Sequence, residues 1–214
     1  MTVTIFNPNS IVGKQLIIYS LAKGWNVKAF GGNVESLIDR EKHTPNFKAI
    51  KGHVLDPGEV KFGLTGSDVV LANLGGALTG TDKSRSLGAK NIVAKMKELG
   101  IRRIVAVGGR GILPDEKGRY LMDASNYPPE YLAVMEEHKA AYLHLKNSGL
   151  DWTFVCASQA NLIDARADNQ FVTVAEAAPD GLEISSGNLA LFMVSELELN
   201  RYLQKRVGIC NTVN

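Results

Sequence analysis

Long apolar runs are missing from this chain. No stretch approaches the ~20 residues of a membrane span, so no membrane partner is expected. Blocks of like charge are missing too. The 24 basic and 22 acidic residues leave a net charge of +2. This argues against a nucleic-acid footprint or a polybasic membrane patch. Cysteine is scarce, with Cys156 and Cys210 far apart in sequence. Two thiols make neither a disulfide framework nor a structural zinc site. His43, His53, His138 and His144 show no ligand spacing with carboxylates, so no metal is expected. The opening Thr2-Val3-Thr4-Ile5-Phe6 lacks a basic leader and a cleavage-type ending. The expectation is a soluble, cytoplasmic protein. No internal repeat, linker or low-complexity segment divides it, and 214 residues suit one domain, 1–214, with a full core.

Glycine is the residue in excess. There are 21, about 10% of the chain against a typical ~7%. Short apolar runs alternate with helical patterns around them. Strands are predicted at Val3–Phe6, Asn26–Phe30, Phe47–Val54, Asp68–Leu74, Arg103–Val107 and Trp152–Ala157. Helices are predicted near Gly13–Lys23, Val34–Arg40, Pro57–Leu64, Ser84–Leu99 and Pro129–Lys146. The alternation implies an α/β fold, a doubly wound parallel sheet with helices on both faces. The tail differs. Phe171–Ala175 and Leu182–Ser185 read as strands around Pro179-Asp180-Gly181, followed by a helix over Leu189–Leu203 and a strand at Val207–Asn211. This predicts a small C-terminal elaboration packed on the sheet.

In such a sheet ligands bind beyond the carboxyl ends of the strands. Gly31-Gly32, Gly75-Gly76 and Gly108-Gly109 all fall on that edge. Glycine lets backbone approach a ligand closely, although tight strand-to-helix turns use it as well. The first turn reads Asn7-Pro8-Asn9-Ser10-Ile11-Val12-Gly13. A dinucleotide loop usually carries three glycines, and only Gly13 stands here. Asn7 tolerates the left-handed region, Ser10 can cap the helix, and the helix N-terminus offers amides to an anion. An ordinary capped turn would read the same way.

Several strings carry a family resemblance: Ile5–Gly13, Gly52-His53-Val54-Leu55-Asp56, Asp68–Gly76, Asn91–Gly109, Ser148–Val155 and Leu189–Gly208. With their order along the chain, they resemble the atypical branch of the short-chain dehydrogenase/reductase superfamily. The nearest flavour is the NmrA-like and flavin- or biliverdin-reductase-like NAD(P)-binding Rossmann proteins. The resemblance implies NAD or NADP as cofactor and a small-molecule substrate or effector as partner. It maps the phosphate loop onto Asn7, Asn9, Ser10, Ile11, Val12 and Gly13. The adenosine end maps onto Gly31, Gly32, Asn33, His53 and Val54. The nicotinamide end maps onto Asn73, Leu74, Gly75, Gly76, Gly108, Gly109 and Cys156. Neither the arginine of NADP-preferring relatives nor the acid of NAD-preferring ones ends strand two, where Gly32 stands.

The superfamily's usual acid is a Tyr-x-x-x-Lys pair, in which the cation lowers the tyrosine pKa. Tyr142 and Lys146 match that spacing but sit at the wrong end of their helix. His138 lies roughly 12 Å nearer the ligand edge at ~1.5 Å rise per residue. Counted back from Ser148-Gly149-Leu150, the family's lysine position falls on His138 and its tyrosine on Val134. His138 is the catalytic candidate, as a ribose contact or proton donor. A half-buried histidine with a satisfied hydrogen bond is the alternative. Arg110 could hold an anionic substrate or a pyrophosphate, or simply be a solvated loop residue. Ile112–Pro129 is long enough for a lid. Cys156 either faces the pocket or is a buried structural thiol. Arg102-Arg103 reads as a solvated pair. Two functions fit: an NAD(P)H-dependent reductase of a small carbonyl or conjugated substrate, or a non-catalytic nucleotide-binding sensor. A scaffold that has lost nucleotide binding ranks third.

Overall fold

The computed structural model describes residues 1–77, 81–158 and 161–212, with the side chains of all but 39–42. Its frame is an eight-stranded sheet. The first three strands are β1 (Thr2–Phe6), β2 (Asn26–Gly31) and β3 (Phe47–Lys51). The next three are β4 (Val69–Ala72), β5 (Arg103–Gly109) and β6 (Asp151–Ala157). Strands β4 and β5 are buried at every position. Continuous burial of short Val/Ile/Ala runs is the mark of parallel strands covered on both faces.

Helices α1 (Ile11–Ala22) and α6 (Ser186–Leu199) cover one face. Leu16 and Ile17 of α1 share a core there with Leu189, Met193, Val105 and Val107. Helices α3 (Pro57–Leu64), α4 (Ser86–Glu98) and α5 (Leu132–Lys146) cover the other. Ile92, Val134 and Ala141 meet Ile104, Ala106 and Phe154 there. Successive β5 residues thus feed opposite cores, as the period of two requires. Helix α2 (Glu35–His43) joins β2 to β3.

The strand order is β3-β2-β1-β4-β5-β6-β10-β8, with β8 (Phe171–Ala175) and β10 (Lys205–Asn211) closing one edge. All pairs are parallel except β10 with β8. The order of strand addition reverses between β1 and β4, and a crevice opens at such a switch point. The doubly wound expectation therefore holds, but the tail does more than pack on the sheet. Strand β10 runs parallel to β6 and extends the sheet itself. The two strands expected around Pro179-Asp180-Gly181 do not pair with each other. β8 takes the open edge of β10, while β9 (Ile184–Ser185) pairs with β7 (Leu162–Ile163). The connection crosses β10 where Gly208 stands; a Cβ there would lie 2.3 Å from the Ala177 carbonyl oxygen.

Arg103 also departs from expectation. It is buried and bonds Glu196 Oε1 at 3.1 Å, while the neighbouring Arg102 pairs with Asp151 at the surface. A buried guanidinium needs a buried partner, and that partner comes from α6.

Among the described residues, no helix is long and apolar enough to cross a membrane, and no group of His, Cys, Asp and Glu could hold a metal ion.

Candidate functional site

The site starts at the turn after β1. Asn7 has φ of 59°, the left-handed region, and its amide bonds the Phe30 carbonyl. Its side-chain Nδ2 donates to the Asn73 carbonyl at 3.0 Å, tying the β1 turn to the end of β4. Ser10 is the N-cap of α1. Its hydroxyl accepts from Gly13 N at 2.9 Å and from Asn73 Nδ2 at 2.5 Å, and donates to Asn7 O at 3.1 Å. One donor and two acceptor places fill the capacity of a hydroxyl. Gly13 is required by this wiring, since a Cβ would lie 2.3 Å from Asn7 O. Asparagine and serine thus build with side chains the tight turn that glycines usually allow.

The first turn of an α-helix leaves amides without helical partners. Ser10 occupies that of Gly13, whereas Ile11 and Val12 line a cavity of about 290 Å³. Asn73, Leu74, Gly75, Gly76 and Val107 line it as well. A second cavity, about 170 Å³, shares Asn7, Leu74 and Gly75 with the first and runs past Gly31, Gly32, His53 and Val54. A third, about 260 Å³, shares Ala157 and Ser158 with the first and ends at Arg110, Tyr127 and Tyr131. Together they form one trough along the carboxyl ends of the strands. No carboxylate lines any of the three among the described residues, whereas Arg85 and Arg110 do line it. A diphosphate fits such a trough, with helix-end amides and a positive dipole end, and the Asp82 carboxylate that packs against Gly76 is engaged by the Ala77 amide.

The glycine pairs divide. Gly31, Gly32, Gly75 and Gly76 line the trough. Gly108 and Gly109 serve packing instead. A Cβ on Gly108 would lie 2.3 Å from the Phe154 ring, and one on Gly109 would lie 2.4 Å from Met135 Cε. The bareness of Gly109 lets α5 sit close on β5, and that of Gly108 leaves room for the Phe154 ring of β6. Asn9 stays near the turn, 3.5 Å from Ser36 Oγ, and Asn33 is exposed beyond β2.

His138 is 1% exposed, so it is a core residue rather than a half-buried one. It lines a small internal void bounded by Leu74, Arg85 and Val107. Those same three residues wall the trough on their other side. His138 thus stands one layer behind the ligand face. Tyr142 is buried against Trp152 and Phe154, away from the trough. Cys156 is buried in the same core, and burial pushes its thiol pKa well up, so it stays protonated. The expected lid at 112–129 is anchored. Its own Ile112, Leu113 and Met122 are buried, and Arg206 donates to the Ile112 carbonyl. Arg110 lines the third cavity and not the turn at Ser10, which sets it apart from the helix-end amides of Ile11 and Val12.

Sequence reasoning passed over Arg85 and Glu137. Buried Arg85 donates to the carbonyls of Gly76 and Ala77, holding the β4–α4 connection against the trough. Buried Glu137 accepts from Ser86 Oγ and Lys83 Nζ. Burial alone would raise the Glu137 pKa, but these two partners hold it below the usual carboxylate value. One signal was present: a cation at the start of α4 opposes the helix dipole and needs a compensating reason.

A family profile described as NAD(P)H-binding matches residues 9–199. Solved structures match over the whole chain. A candidate epimerase from Bacteroides thetaiotaomicron is 22% identical, with 100% of this chain and 98% of that one covered and a TM-score of 0.84. A candidate NADH-flavin reductase from Streptococcus pneumoniae is 22% identical, with 99% and 100% covered and a TM-score of 0.82. A short-chain dehydrogenase/reductase from Veillonella parvula, solved with NADP, is 18% identical, with 98% and 94% covered and a TM-score of 0.73. At these identities the likeness speaks for the fold.

Proposed function

The chain belongs to the NAD(P)H-binding family, and on that premise we propose that it is an NAD(P)H-dependent oxidoreductase of a small carbonyl or conjugated acceptor. The joined, carboxylate-free trough carries this reading. Gly31, Gly32, His53 and Val54 would hold the adenosine end. The amides of Ile11 and Val12 would hold the pyrophosphate, with Asn7 and Ser10 keeping the turn open. Asn73, Leu74, Gly75, Gly76 and Val107 would line the way to the nicotinamide end. The cofactor supplies the hydride, and the protein contributes mainly position and exclusion of water.

The acceptor belongs in the third cavity, which continues from the first at Ala157 and Ser158. Tyr127 there is kept protonated by burial, against the opposing pull of Arg110. It can donate a hydrogen bond but is a weak acid, so the proton for the acceptor comes from water. Tyr142 and Lys146 play no part, and His138 acts only through the wall formed by Leu74, Arg85 and Val107.

Titration with NADH, NADPH and their oxidised forms, read by fluorescence and thermal shift, tests the first half. Turnover over quinones, flavins and enones tests the second. Micromolar binding with turnover supports the oxidoreductase. Binding without turnover favours a nucleotide sensor, the reading to which the buried His138 and the absent Tyr–Lys relay would then belong. No binding of any form refutes both.

A further inference from the structure

The third cavity has a composition that selects among acceptors. Its walls are mostly apolar, with the rings of Tyr127, Pro128 and Tyr131 beside Leu121, Met135 and Leu182. A cavity of roughly 150 Å³ suffices for a benzene ring, and this one measures about 260 Å³. It therefore takes one ring with a short substituent.

One cation stands among these walls. Arg110 leaves the end of β5 and is half-buried. Its Nη1 donates to the Gly181 carbonyl at 3.0 Å, which fixes the direction of the fork. Among the described residues no carboxylate lies in ion-pair range of it. Burial makes the cation harder to keep charged, and the fields of Cys210, Asp180 and Tyr127 offset this only in part. A half-buried cation with no ion-pair partner gains from a carboxylate placed beside it. The other half of the guanidinium retains donors suited to a carboxylate, which it can grip in a planar, bidentate way. Tyr127 lines the same cavity, with its Oη packed against Gly111, the residue after Arg110.

We propose that this cavity binds a single-ring aromatic carboxylate, with Arg110 gripping the acid group and the Tyr127–Tyr131 wall receiving the ring. The assignment rests on the oxidoreductase reading only for calling the ligand an acceptor; the binding site itself stands on the cavity. The carboxylate supplies the missing counter-charge. The ring then reaches toward Ala157 and Ser158, where this cavity meets the first.

The test uses the full chain, with cinnamate and its uncharged isostere cinnamamide as probes. Binding is followed by ligand-observed NMR and tyrosine fluorescence, with and without saturating NADPH or NADH. Cinnamate is expected to bind about tenfold or more tighter than cinnamamide, the scale of a charge-assisted bidentate contact. Arg110→Met should abolish that preference and Arg110→Lys should keep part of it. Asp180→Asn should strengthen cinnamate binding, because it removes the competing acid. Arg110→Met also loses the Gly181 tie, so a variant that fails to fold is replaced as evidence by the Arg110→Lys and Asp180→Asn pair. Equal binding of the two probes, no binding of either, or a preference that survives Arg110→Met overturns the proposal. A carboxylate preference in a chain that binds no dinucleotide sinks the oxidoreductase reading and leaves this site standing. Dinucleotide binding without that preference does the reverse.

Discussion

Replacing Ser10 by glycine separates the structural work of the turn from its ligand work. The Ser10 hydroxyl makes three hydrogen bonds, to Gly13 N, Asn73 Nδ2 and Asn7 O. Losing a serine cap to glycine costs only a few tenths of a kcal/mol. The other two bonds are worth about 0.5–1.5 kcal/mol each, at the low end here because both groups border the trough and water can replace the hydroxyl. Glycine adds roughly 0.5 kcal/mol of backbone entropy, since Ser10 has an ordinary φ of −64°. The total is about 2 kcal/mol. In a chain of this size that lowers Tm by roughly 4–8 °C. The same change releases the Gly13 amide toward the trough, so NADPH or NADH should bind as tightly as before or more tightly. Thermal unfolding by circular dichroism reads the first effect, and nucleotide fluorescence titration at a temperature where the variant is folded reads the second. An unchanged Tm would refute the hub. A tenfold loss of affinity in the folded variant would refute the placement of the anion on the amides, because the hydroxyl itself would then be the contact.

Three further outcomes follow from the packing and the charges. Gly109→Ala places a methyl 2.4 Å from Met135 Cε and 3.0 Å from His138 Cδ2, so it should destabilise by about 1–3 kcal/mol in urea unfolding; Met135→Ala in the same chain should recover part of that loss. Glu137 has a folded pKa below its ordinary value of 4.5, so it stabilises the fold above that value, and this contribution is lost as pH falls through the lower folded pKa. Stability measured between pH 6 and 3 should therefore fall less steeply in Glu137→Gln than in the parent, and parallel curves would argue against the Lys83–Ser86 contacts. Tyr142→Phe should leave nucleotide affinity and turnover within about threefold, since the ring is buried against Trp152 and Phe154; a hundredfold loss of turnover would restore the Tyr–Lys pair to the site.

Local chemistry made much of the fold legible. Ser10 announces the start of α1 because a hydroxyl before a helix takes an orphan amide. Pro57 announces α3 because its preset φ suits the first turn, and the structure adds the Asp56 cap. The buried runs of β4 and β5 announce a sheet covered on both faces. These signals lie within a few residues of each other, so the order of elements and the carboxyl edge could be read directly. Asn7, Asn73, Gly31, Gly32, Gly75 and Gly76 fall on that edge in the structure as well.

What depends on partners far along the chain was not legible. β8 pairs with β10 rather than with β9 because the open edge of β10 lies beside it only once the sheet is built. Arg103 is buried because Glu196 arrives on α6, and His138 is a core residue because α5 presses it behind the wall of Leu74, Arg85 and Val107. Gly108 and Gly109 follow ring and thioether packing rather than a ligand. The sequence by itself determined the winding of the sheet and the edge on which the glycine pairs and the first turn fall. Only the tertiary structure decided which side chains reach that edge. The reason is that a period of 2.0 or 3.6 residues sets the face of an element, while the depth of a side chain depends on what the rest of the chain packs over it.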